Sequence, residues 1–132
     1  MFKESLPAAR WFLLLAAVSA GAAVAFGALS AHALSDLPAR QLQILQTAVQ
    51  YQWWHSLALA LAGLWLLSAT ERCERLLIWA GLCFLGGILA FSGSLYLLAL
   101  GGPGWVGPVT PLGGLLFIAG WLSLALAAWR LR

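Results

Sequence analysis

Charge is confined to four short stretches of this chain. All seven Lys/Arg and all four Asp/Glu residues fall at positions 3–10, 36–40, 71–75 and 130–132, leaving 11–35, 41–70 and 76–129 without a formal charge. A hydrocarbon core about 30 Å thick is crossed by roughly 20 apolar helical residues, so these runs predict membrane spans. The third run is too long for one crossing. Gly101-Gly102-Pro103-Gly104 interrupts it where a helix cannot comfortably continue. The reading is therefore all-α: an integral membrane antiparallel four-helix bundle with spans at about 11–33, 51–70, 76–100 and 111–129. All 132 residues form a single tetraspan membrane domain.

Composition agrees, with 63% hydrophobic and 8% charged residues, far below the charge content of a soluble domain. The net charge of +3 is too small and scattered for nucleic acid, but it orients the chain. Lys3, Arg10, Arg72, Arg75, Arg130 and Arg132 fall on one side of the spans and only Arg40 on the other. This bias predicts a bacterial inner-membrane protein with both termini and the 71–75 loop in the cytoplasm. Trp11, Trp79 and Trp129 then lie near the inner interface and Trp53, Trp54 and Trp105 near the outer one, with Trp65 and Trp121 deeper. Val18-Ser19-Ala20 resembles a signal-peptide cleavage site, but the apolar stretch runs on to Leu34, so an uncleaved helix is expected.

The first external loop predicts a short amphipathic helix. Ser35 or Asp36 is placed to cap it and Pro38 to occupy its first turn. Leu42, Leu45, Val49 and Trp53 recur on one side, with Gln43, Gln46, Thr47 and Gln50 on the other. The segment reads as a surface collar running into span two. Cys73 and Cys83, the only cysteines, lie in a cytoplasmic loop and a span, and both read as inert.

Small residues form stripes at helical spacing: Ala17, Gly21, Ala25, Ala28 and His32; Tyr51, His55, Ala58 and Ala62; Gly86, Ala90, Gly93 and Leu97. Such stripes let membrane helices pack closely. Gly21, Ala25, Gly86, Gly93, Gly113 and Gly114 are therefore the expected helix-packing positions, with His32 and His55 turned away from lipid. With span two beginning and span three ending at the outer boundary, His55 and Tyr96 come to lie roughly 6 Å below the outer surface at 1.5 Å per residue. His32, Gln50, Tyr51, His55, Ser92, Ser94 and Tyr96 become a candidate polar site in the outer half, joined by Ser30, Ser56 and Thr110. Ionisable groups inside a membrane are costly and mark candidate sites. The alternatives are a closed interhelical hydrogen-bond network and a pocket for a lipid, quinone or other small amphiphile.

His32 and His55 have the chemistry to ligate haem or a metal. No carboxylate lies within a span, however, and no nucleophile–base set or phosphate loop is evident. No enzymatic activity, cofactor or metal site is expected. The expected partners are the lipid bilayer and either another membrane protein or further copies of this chain.

Four motifs in order resemble domain-of-unknown-function family 423. They are Gly27-Ala28-Leu29-Ser30-Ala31-His32-Ala33-Leu34; Thr47-Ala48-Val49-Gln50-Tyr51-Gln52 with His55-Ser56-Leu57-Ala58-Leu59; Phe91-Ser92-Gly93-Ser94-Leu95-Tyr96-Leu97-Leu98-Ala99-Leu100; and Thr110-Pro111-Leu112-Gly113-Gly114 followed by Ala119-Gly120-Trp121. The family pattern has Phe-Gly where this chain has Leu29-Ser30. The resemblance implies a small bacterial inner-membrane tetraspan protein, similar to the eukaryotic transmembrane protein 256. It marks His32, His55, Ser92, Ser94 and Tyr96 as motif positions and implies no activity. From the residues, the reading is a structural or partner-packing membrane protein, the alternative being an amphiphile-binding one.

Overall fold

The computed structural model describes residues 5–131, all helix and connecting turns; Lys3 and Arg132, used above for orientation, lie outside that range. The elements are α1 (Leu6–Ala31), α2 (Ala39–Leu66), α3 (Glu71–Gly87), a π-helical turn (Ile88–Ser92), α4 (Gly93–Ala99), a 3₁₀ turn (Gly104–Val106) and α5 (Val109–Trp129). The segment Glu71–Ala99 is one continuous helix through its π turn. It, Leu6–Ala31 and Gly104–Trp129 are long and apolar enough to cross a membrane.

The second helix corrects the expectation in two ways. It is one uninterrupted helix from Ala39, with the predicted collar forming its first turns. Pro38 is its N-cap, at φ −53° and ψ 144°, and the Ser35 hydroxyl instead donates back to the His32 carbonyl. It also falls outside the set of apolar candidate spans, because Gln41, Gln43, Gln46, Gln50, Gln52 and His55 dilute its hydropathy. Its exposed face nevertheless changes character along its length. Arg40, Gln43, Gln46 and Gln50 give way to Trp53, Trp54, Leu57, Leu61, Leu64 and Leu67.

Neighbouring helices run antiparallel. Gly63 of α2 packs on Ala9 and Phe12 of α1, and Gly27 of α1 faces Val49 of α2. Tyr51 and His55 of α2 meet Phe91 and Phe84 respectively. α1 packs along α2, and α5 along α3 and the π turn.

Glycines seat aromatic rings across these interfaces. A Cβ on Gly81 would lie 2.1 Å from the Phe12 ring, one on Gly87 2.4 Å from Phe117, and one on Gly120 2.6 Å from Phe84. Such flat packing substitutes for the hydrophobic drive that lipid removes. Gly113 is tighter still, since its Cβ would sit 2.3 Å from the Phe91 backbone nitrogen.

The expected packing positions fare unevenly against this pattern. A Cβ on Gly86 would lie 3.3 Å from Leu116 and one on Gly114 3.8 Å from the Phe91 ring, whereas a Cβ on Gly21 or Gly93 would meet no other group within 4 Å. The whole first stripe, Ala17, Gly21, Ala25, Ala28 and His32, is exposed; α1 instead buries Ala9, Phe12, Ala16, Ala23 and Ser30. Small residues lie on both faces of α1, so residue size alone pointed to the wrong one.

The break at 101–104 is a helix stop. Gly101 has φ +83°, and the amides of Gly102 and Gly101 bond the carbonyls of Leu97 and Leu98, a Schellman termination that needs a left-handed residue. Cys73 is buried and Cys83 partly buried, both free thiols.

Candidate functional site

The predicted polar cluster resolves into two networks that share α2. In the first, the Tyr96 hydroxyl of α4 donates to Gln52 Oε1 at 2.5 Å. Gln52 Nε2 in turn donates to the Ser19 carbonyl of α1 at 2.9 Å. Ser56 Oγ lies 2.7 Å from Ser19 Oγ and 2.6 Å from the Gln52 carbonyl. Each hydroxyl carries one proton, so Ser56 satisfies the carbonyl when Ser19 donates to Ser56. Three helices are thereby joined through the Gln52 side chain, which is 6% exposed.

The second network centres on His55, 5% exposed. The indole N–H of Trp121 on α5 reaches Nε2 at 3.1 Å. Indole can only donate, so Nε2 is the acceptor and the proton sits on Nδ1. Nδ1 then donates to the Tyr51 carbonyl at 2.8 Å. The imidazole also stacks on Phe117, with centroids 3.5 Å apart at 12°. Both ring nitrogens are engaged in this neutral tautomer, so a metal or haem iron would have to displace Trp121 or a main-chain bond. Among the described residues no three His, Cys, Asp or Glu side chains converge.

Two further bonds tie the outer half together. Ser92 Oγ donates to the Ala48 carbonyl at 2.8 Å, an approach set by the π turn that carries Ser92. Ser94 and Thr110 hydroxyls pair at 2.5 Å. Among the described residues, every buried side-chain nitrogen or oxygen except Ser5 Oγ has a partner.

The structure therefore separates what the sequence grouped. His55, Ser92, Ser94 and Tyr96 are engaged between helices, but Tyr96 bonds Gln52 and not His55. Gln50 is exposed, and Ser30 bonds within its own helix to the Gly27 carbonyl. His32 is exposed at the end of α1. With Gly27 opposite Val49 in antiparallel helices, the register puts His32 and His55 about 16 Å apart along the axis at 1.5 Å per residue. α2 starts at Ala39, so His55 lies about 24 Å along the helix from its N-terminus at 1.5 Å per residue. Sequence reasoning also missed Gln52 and the role of Trp121. The spacing of Ala48, Gln52, Ser56 and Leu59 on one helical row was the available signal.

Beside the second network a groove of about 500 Å³ runs between α2 and α5, lined by Tyr51, His55, Phe91, Pro111, Gly114, Leu115, Phe117, Ile118 and Trp121. Tyr51 is half-buried within a run of rings, 4.5 Å from Phe91 and 5.3 Å from Trp54 by centroid.

A family model described as "Protein of unknown function (DUF423)" matches residues 26–114, which hold Gln52, Ser56 and Tyr96 of the first network, the π turn and Gly113. The chain belongs to the DUF423 family. A UPF0382 membrane protein of Staphylococcus epidermidis is 44% identical over 120 residues, covering 90% of this chain and 95% of the relative. The UPF0382 membrane protein YwdK of Bacillus subtilis is 37% identical over 89% of this chain and 94% of its own length. The UPF0382 inner membrane protein YgdD of Escherichia coli is 38% identical over 125 residues, 93% of this chain and 92% of the relative. No solved structure matches. With three long apolar helices and relatives named as membrane proteins, this DUF423 member is a multi-pass membrane protein.

Proposed function

We propose that this DUF423 protein is a non-catalytic accessory subunit of the bacterial inner membrane, one tetraspan domain that packs against a membrane partner. In this reading α2 is the fourth crossing, with its Gln52, His55 and Ser56 side chains shielded by α1, α4 and α5. Both termini face the cytoplasm, in keeping with six basic residues on one side against Arg40 on the other. Arg10 and Leu67 border one groove and Arg72 and Arg130 another cleft, consistent with these ends lying together at one surface.

The observation that carries the reading is the closure of the buried polar groups on one another, combined with an open small-residue face. Ala17, Gly21, Ala25 and Ala28 point away from the bundle, where a second helix can approach closely. Exposed Gln46 and Gln50 of α2 lie at the level of the apolar outer half of α1, and Gln50 shares a groove with Val24 and Trp53. Amides at this depth gain from a hydrogen-bonding neighbour that lipid tails lack.

Native mass spectrometry of the full chain extracted in mild detergent tests this. The wild type is expected to travel as a complex or oligomer, and Gly21→Leu to dissociate it without lowering the melting temperature, because nothing lies within 4 Å of that position. A monomeric wild type, or a complex indifferent to Gly21→Leu, would overturn the reading.

A further inference from the structure

The groove between α2 and α5 has the makeup of a small-molecule site, and its volume of about 500 Å³ falls within the range of ligand pockets. Its floor and walls are ring faces. Phe117 stacks on His55, Phe91 lies 5.4 Å from Phe117 and 4.5 Å from Tyr51, and Trp121 closes one end. Gly114 leaves a gap between the neighbouring α5 side chains. Leu115 and Ile118 on its margin are more than half exposed, so the groove opens sideways toward lipid.

Hydrogen bonding in the groove is asymmetric. The Trp121 N–H is taken by His55 Nε2, and His55 Nδ1 by the Tyr51 carbonyl. The Tyr51 hydroxyl makes no hydrogen bond with any described residue. Tyr51 is half-buried on the wall of the groove. An O–H facing hydrocarbon without a partner is costly. A free donor on the wall of an aromatic-lined groove is the complement of a planar ring bearing a carbonyl, carried on an apolar tail.

We infer that this groove binds a quinone-type membrane amphiphile, its ring lying against the Tyr51–Phe91–Phe117 cluster and a ring carbonyl accepting from the Tyr51 hydroxyl. This inference is independent of the partner-facing side of α1, so the Gly21→Leu test and the one below can fail separately.

The full chain in phospholipid nanodiscs, titrated with decylubiquinone and read by native mass spectrometry against empty discs, provides the test. One quinone per chain is expected. Tyr51→Phe keeps the ring and removes only the hydroxyl, and should weaken binding about five- to tenfold. Gly114→Leu should fill the slot and abolish binding. Decylbenzene, which has the tail without the carbonyls, should not compete. Undiminished binding in Tyr51→Phe, or equal competition by decylbenzene, would mean only generic filling by apolar chains and would overturn the assignment. If Gly114→Leu fails to fold, Tyr51→Phe and the competition decide alone.

Discussion

The indole nitrogen of Trp121 lies 3.1 Å from Nε2 of His55 and fixes that ring as the neutral Nδ1–H tautomer, locking α5 to α2. These helices share little backbone packing, so the bond bridges a seam that would otherwise be held only by stacked rings.

Trp121→Phe should keep most of the ring packing while stranding Nε2 of a histidine that is 5% exposed. A loss of about 1–3 kcal/mol is expected, visible as a lower unfolding midpoint by circular dichroism in detergent. Trp79→Phe, at a position 63% exposed, should leave the midpoint unchanged. Equal effects from both would remove the special role of the His55 bond.

Tyr96→Phe and Gln52→Met interrupt the same chain of hydrogen bonds at neighbouring links. Each alone leaves a buried partner unsatisfied, so each should destabilise. The double variant should cost less than the sum, with a coupling of about 0.5–3 kcal/mol. Strict additivity in the thermodynamic cycle would contradict the 2.5 Å Tyr96–Gln52 contact.

Gly113→Ala places a methyl 2.3 Å from the Phe91 backbone nitrogen, and backbone cannot swing aside as a flexible side chain can. The helices must separate, so a loss of about 1–3 kcal/mol or more is expected. Gly21→Ala and Gly93→Ala meet open space and should be neutral, or stabilising by up to about 1 kcal/mol through helix propensity. Ranking the three melting temperatures checks the assignment of packing faces.

Topology is open to a labelling measurement. In a Cys73→Ala/Cys83→Ala background, Trp105→Cys should react with a membrane-impermeant thiol reagent added from the periplasmic side. Trp105 is 73% exposed and lies in the turn between α4 and α5. Reaction from the cytoplasmic side alone would invert the proposed orientation.

Charge-free runs and the glycine break were enough to define helical, membrane-spanning architecture, because the bilayer imposes a minimum length and excludes charge whatever the helices later touch. The motif residues likewise carried family membership. Which face of α1 is buried was not legible, since Ala and Gly occur on both sides and only the partner helix selects one. The reach of α2 was hidden as well. Gln43, Gln46 and Gln50 read as a surface collar and Gln52 stood out by nothing, yet Gln52 is satisfied inside the bundle by Ser19 and Tyr96 from distant parts of the chain. The same holds for His55. Its type and its place in a span marked it as costly, but its partner, 66 residues further along, comes from the packing of α5 beside α2. Sequence periodicity reports what each helix can bury by itself, and tertiary register decides which polar groups meet.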